Sequence, residues 1–230
     1  MGNLPVYISV TFILATFLTI FLFYKASNRS RAFIIIVLLW LALQTILSLR
    51  GFYIVTDTMP PRFPLLILPP LLLIASLFFI RKGRSYIGTL RTADLTLLHT
   101  VRIPVELTLY WLFMHKAVPQ SMTFEGRNFD ILSGLTAPFI YYFGFVQKRI
   151  NKSLLLLWNF ICLGLLINIV VTAALSAPTP MQHFAFKQPN IAMLYFPFVW
   201  LPCCVVPIVL FSHLATIKQL LKKPVLNGMH

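Results

Sequence analysis

Residues 95–114 read LTLLHTVRIPVELTLYWLFM, and whether this stretch crosses a membrane decides the fold. Its length suits a crossing, because a hydrocarbon core about 30 Å thick needs a helix of about 20 residues. Yet it carries His99, Arg102 and Glu106, which an ordinary apolar span would not. The charges on either side resolve the question. With this crossing, one side receives thirteen basic residues: Lys25, Arg29, Arg31, Arg81, Lys82, Arg84, Arg91, Lys148, Arg149, Lys152, Lys218, Lys222 and Lys223. Asp94 is the one acid among them. The other side holds Arg50, Arg62, Lys116, Arg127 and Lys187 against Asp57, Glu125 and Asp130. Without the crossing, the last two basic clusters change sides and the asymmetry is lost. Basic loops stay cytoplasmic, so the pattern predicts a crossing, an outside N-terminus and a cytoplasmic C-terminus.

Six other apolar runs flank it, at 5–24, 32–49, 63–80, 131–147, 153–175 and 191–211. The expectation is an all-α polytopic membrane protein, a single domain over 1–230 built as a bundle of seven transmembrane helices. The first run lacks a basic start and a small-residue cleavage site, so it reads as a span rather than a signal peptide. The opening residues lack the Ser or Thr that a myristoylation motif wants at position six, which is Val6. Pro69 and Pro70 are expected to kink the third span, and Pro197, Pro202 and Pro207 lie in the seventh. The triplets Asn28-Arg-Ser and Asn151-Lys-Ser fall in short cytoplasmic turns, where no glycan is added. The plasma membrane is the expected location, as a multi-pass protein, and the inner membrane in a Gram-negative cell.

Composition agrees with this reading. The 230 residues are 59% hydrophobic and only 10% charged, and their mean hydropathy is +0.86. Soluble domains are about 25% charged, and disorder needs low hydrophobicity, so both classes are excluded. The net charge of +14 is absorbed by topology and implies no nucleic-acid partner. Cys162, Cys203 and Cys204 lie inside apolar runs and form neither a disulfide framework nor a CxxC motif. The partners implied are the lipid bilayer, a small-molecule or lipid ligand, and other membrane subunits.

The candidate site lies on the fourth span. His99, Arg102, Glu106 and Tyr110 are spaced three, four and four apart, along one helical stripe. Ionisable groups at that depth cost several kcal/mol unless paired or hydrated, which turns them toward the bundle interior. Arg102 and Glu106, four apart, are placed to pair with each other. Gln44 and Ser48, Thr136 and Tyr141, and Asn168 and Thr172 are polar residues in other spans that permit a cavity open to the outer half. The outer loop segment Phe124-Glu-Gly-Arg-Asn-Phe-Asp130 is suited either to capping such a pocket or to an interfacial turn. Trp40, Trp111, Trp158 and Trp200 either wall the cavity or sit at the interfaces.

Known chemistries find little support. Seven helices with an outside N-terminus resemble microbial rhodopsins in topology, but no span holds the mid-helix lysine that retinal requires. Lys218 is placed beyond the cytoplasmic end of the last span. The topology is also similar to three-plus-one-plus-three sugar and vitamin carriers, although Pro119-Gln120 lies in an outer loop rather than in a kinked helix. His99 and His213 fall at comparable depth and can meet, but HExxH and HxxxH are missing, so no metal or cofactor is assigned. GxSxG, Walker and dinucleotide motifs are also missing, and no catalytic residue is assigned. Binding or transport of a small molecule, ion or lipid is the leading expectation, with Glu106, Arg102, Tyr110, His99, Gln44 and Asn168 as ligand-binding residues. An accessory or scaffold subunit is the alternative, and a membrane-embedded lipid enzyme stands third.

Overall fold

The computed structural model describes residues 4–56, 58 and 61–222; Asp57, Lys223, His230 and residues 1–3 lie outside the described residues. The chain is 72% helix, with no strand among the described residues. Nine α-helices follow one another there: α1 (Val6–Ala26), α2 (Arg31–Leu49), α3 (Leu68–Phe79), α4 (Arg81–Thr89), α5 (Thr92–Leu98), α6 (Arg102–Met114), α7 (Ile131–Tyr141), α8 (Lys152–Leu175) and α9 (Val206–Leu221). Helices are the form such apolar segments must take in lipid, because each backbone N–H and C=O then finds its partner within its own segment. Among the described residues, four helical stretches are long and apolar enough to cross a membrane: α1, α2, α8 and Leu201–Leu221, which joins a π-helical turn to α9. Leu68–Phe79 and Ile131–Val146 are shorter apolar helices.

Several boundaries differ from those the sequence predicts. The third run opens with a 3-10 turn at Phe63–Leu66, and α3 begins only at Leu68. Pro69 and Pro70 therefore occupy its first turn and do not kink it; a missing N–H costs nothing there. The last helix lies about ten residues later than expected. A 3-10 turn (Ala192–Leu194) and non-helical backbone replace its first half, and Leu201–Leu221 takes in Ser212, His213 and Thr216, all buried. Lys218 consequently sits inside the last turn of α9, where a cation complements the helix dipole. The basic segment after α3 forms the amphipathic helix α4. The two Asn-x-Ser triplets prove to be helix starts: the Ser30 hydroxyl accepts from the Phe33 N–H at 3.3 Å, and Asn151 Oδ1 accepts from the Leu154 N–H at 2.8 Å.

Hydrogen bonds tie the helix ends into two groups. At the basic end, Asn28 Nδ2 donates to Thr89 O at 2.7 Å, the Arg91 N–H to Ala26 O at 2.9 Å, and Gln219 Nε2 to Ile87 O and Leu90 O. At the opposite end, Gln188 Nε2 donates to Phe113 O and Val118 O, and Asn168 Nδ2 to Arg127 O. The Leu201–Leu221 helix lies at the centre, with 72% of its apolar window buried against 22% for α2. Tryptophans staple α2 to it: Trp40 Nε1 donates to Cys203 O at 2.9 Å and Trp200 Nε1 to Thr45 Oγ1 at 3.0 Å.

One close approach seats the candidate stripe. A Cβ on Gly134 of α7 would stand 2.9 Å from Ile103 Cγ1 and 3.2 Å from Arg102 Cβ, so only glycine lets α7 lie against the start of α6. A Cβ on Gly164 of α8 would meet nothing within 4 Å. Gly134→Ala is therefore expected to lower stability by about 1–3 kcal/mol through overpacking. Gly164→Ala should leave it unchanged or raise it by up to about 1 kcal/mol through helix propensity. Thermal unfolding of the two purified variants in one detergent checks this, and equal melting temperatures would contradict the packing.

Candidate functional site

The stripe is shaped by Pro104. It donates no hydrogen bond to the Thr100 carbonyl, and its ring crowds that turn, so the backbone tightens into a 3-10 segment, His99–Val101, just before it. α5, this turn and α6 run on as one helical rod. His99, Arg102 and Glu106 are all buried on it, at 0%, 2% and 2% exposure, although all three are ionisable and inside an apolar bundle.

Their partners come from elsewhere in the chain. Arg102 pairs with the Asp130 carboxylate, just ahead of α7. Its other terminal nitrogen donates to His213 Nε2 of α9 at 2.9 Å, and the Cys162 carbonyl of α8 lies at 3.4 Å. A guanidinium is always protonated, so His213 Nε2 must be the acceptor. The ring proton therefore sits on Nδ1, which donates to Asn159 Oδ1 at 2.9 Å, while Asn159 Nδ2 donates to Leu155 O. The contacts thus specify a neutral His213 in a single tautomer. His99 stacks on it with ring centroids 3.8 Å apart and planes 13° apart, and Trp158 closes over both rings at 5.6 and 6.0 Å. Neither ring nitrogen of His99 has a hydrogen-bond partner among the described residues, nor has Arg102 Nε.

Glu106 is held differently. Asn128 Nδ2 donates to its Oε2 at 2.6 Å and also to Met122 O at 3.0 Å. Asn128 Oδ1 accepts from the Asp130 N–H at 3.1 Å. The loop before α7 thus folds inward and hands Asn128 to Glu106 and Asp130 to Arg102. Gly126 permits the turn, since a Cβ there would lie 2.2 Å from Gln120 O. The buried centre carries two carboxyl groups and one guanidinium, and the guanidinium is taken by Asp130.

The expected Arg102–Glu106 pair is therefore replaced by Arg102–Asp130. Side chains lean toward a helix N-terminus, and a base placed four residues ahead of an acid is the poorer orientation for an intrahelical pair. Of the six expected ligand residues, the structure gathers His99, Arg102 and Glu106. Tyr110 lies toward the loop, stacked on Phe124 at 5.0 Å. Gln44 is buried but accepts from the Tyr53 hydroxyl at 2.5 Å, within α2's own end of the bundle. Asn168 is exposed and only anchors the loop through Arg127 O. Asp130, Asn128 and Asn159 belong to the centre and were missing from the expected set. The Phe124-to-Asp130 segment was the signal for the first two. For Asn159 the signal was depth, since it sits within two turns of α8's basic start, as His213 does from α9's basic end.

Fold and centre together define an all-helical protein of transmembrane character with a buried ionic core. A family model described as a domain of unknown function, DUF8737, matches residues 63–221, and the chain belongs to that family. The match takes in every residue of the buried centre and leaves out α1, α2 and Gln44. No curated protein and no solved structure matches the chain.

Breaking one partner of a buried ion pair costs about 3–5 kcal/mol, whereas apolar replacement of both is often near neutral. Arg102→Met and Asp130→Leu are each expected to destabilise on that scale, with the double variant more stable than either. Denaturation of the three purified variants checks this, and additive losses would contradict the pair.

Proposed function

We propose that the protein binds or transports a small solute through its buried polar centre, with Glu106 as the group that takes up a proton or cation. The observation that carries this reading is Glu106 itself. It is a buried acid whose hydrogen bond comes from a neutral amide, while the nearby guanidinium is engaged by another carboxylate. An ionisable residue in a membrane is expensive, and one without a charge partner points by default to a functional role. Arg102 orders the site by balancing charge. The two nitrogens of His99, unpartnered among the described residues, add hydrogen-bonding capacity to the site.

In this reading the loop before α7 is the gate. It makes both contacts, the Asn128 hydrogen bond and the Asp130 ion pair, so outward movement frees Glu106 from Asn128 and Arg102 from Asp130 in one step. Phe124, stacked on Tyr110, marks the outer entrance. The architecture that goes with it is one domain of seven crossings in the plasma membrane, N-terminus outside and C-terminus cytoplasmic. The gathering of basic segments at one end of the bundle supports that orientation. A scaffold role predicts the same pairs with no ligand.

Reporter fusions after Arg91 and after His115 are expected to read opposite faces of the membrane; the same face for both would sink the seven-crossing arrangement. Function is tested by thermal unfolding against monovalent and divalent cations, amino acids, sugars, nucleosides and organic acids. A ligand at a hundredfold excess over its Kd stabilises by about 2.7 kcal/mol. At least one class should raise the melting temperature of the wild type and not of Glu106→Gln. A panel that leaves the wild type unmoved, or a shift that Glu106→Gln retains, favours the scaffold.

A further inference from the structure

Away from the polar centre, an apolar groove of about 740 Å³ runs between α2 and α3, floored by Cys204 and Pro207 of the last helix. Its volume lies in the range of ligand sites. The walls are large apolar side chains left open: Ile36 is 58% exposed, Leu39 68% and Leu73 53%. In a bilayer this groove opens sideways, into the acyl chains.

The two ends of the groove differ. One end, near Pro69 and Trp40, is apolar throughout. The other reaches Ser30, Leu77 and Tyr86, beside the basic α4 and the C-terminal turn of α9. There the Lys218 ammonium lies 4.7 Å from the centre of the Phe78 ring, with Arg84 and Lys222 as its charged neighbours. Lys222 Nζ is 3.7 Å from where a Cβ on Gly88 of α4 would stand. Asp94, the one acid of this end, is engaged by Arg91 at 3.0 Å. Three like charges thus gather beside the Tyr86 end of the apolar trough, with no counter-charge on them among the described residues. Positive-inside topology explains cations on this face but not their gathering next to Leu77 and Tyr86, which line the groove's end.

We propose that the groove between α2 and α3 is a binding site for an anionic phospholipid, its chains lying along Ile36, Leu39 and Leu73 and its phosphate held by Arg84, Lys218 and Lys222. Charge complementarity selects the headgroup, and the length of apolar wall selects a lipid over a free anion. The site does not involve the buried centre.

The test is native mass spectrometry of the purified full chain released from vesicles of equal phosphatidylglycerol and phosphatidylcholine with matched acyl chains. The wild type should retain phosphatidylglycerol preferentially. Each basic residue near a membrane surface contributes about fivefold to such a preference, so Arg84→Gln and Lys218→Gln should each lower it by about that factor. Leu73→Trp, which fills the groove, should abolish retention while the protein still folds, and millimolar inorganic phosphate should not compete. Equal retention of the two lipids, full retention by Leu73→Trp, or displacement by inorganic phosphate would each overturn the proposal. So would a wild-type dimer that Leu73→Trp dissociates, because a second copy of the chain would then be the occupant.

Discussion

A guanidinium enclosed in an apolar bundle must find acceptors within the protein, and Arg102 draws them from three other segments. Asp130 arrives from the loop ahead of α7, His213 from α9 and the Cys162 carbonyl from α8. Desolvating such a pair costs several kcal/mol per ion, and good geometry with further hydrogen bonds offsets it. That requirement fixes the relative placement of the helices more tightly than their apolar faces do. Leucine against leucine tolerates sliding, whereas a bidentate donor between a carboxylate and an imidazole does not. The close approach at Gly134, the inward turn at Gly126 and the 3-10 segment ahead of Pro104 all serve to bring these groups into contact.

The helical architecture was legible because lipid leaves the backbone little choice. Apolar runs of sufficient length predicted α1, α2 and α8 to within a few residues. The third and last runs were read less well, for a reason that lies in proline. Pro69 and Pro70 look like interruptions until the helix is known to begin at Leu68, and of the three prolines in the seventh run only Pro197 lies in the non-helical first half, while Pro202 and Pro207 sit inside the Leu201–Leu221 helix. In that last helix, polar Ser212, His213 and Thr216 resemble the exit from a membrane when read along the chain, yet they face the bundle's interior.

The site was legible on one element only. A stripe at helical spacing exposes His99, Arg102 and Glu106 to inspection, and all three are in the centre. What the stripe pairs with depends on tertiary contacts 28 and 111 residues away along the chain, which periodicity does not carry. Asp130 and Asn128 looked like members of an exposed loop because polar, aromatic and glycine residues alternate there. Their inward placement depends on a turn held by Thr123 and Gly126. Gln44 and Asn168 show the reverse error, since a polar residue in an apolar span is often consumed locally, by Tyr53 in one case and a loop carbonyl in the other.

The account stands on the contact between Arg102 and His213, which dictates the imidazole's state. Nitrogen-15 chemical shifts of labelled His213 in detergent or lipid discs report that state directly. The account predicts a neutral ring protonated at Nδ1, converted in Arg102→Met to a mixture of tautomers. A ring protonated at Nε2, or an imidazolium, would contradict the arrangement on which the buried centre depends.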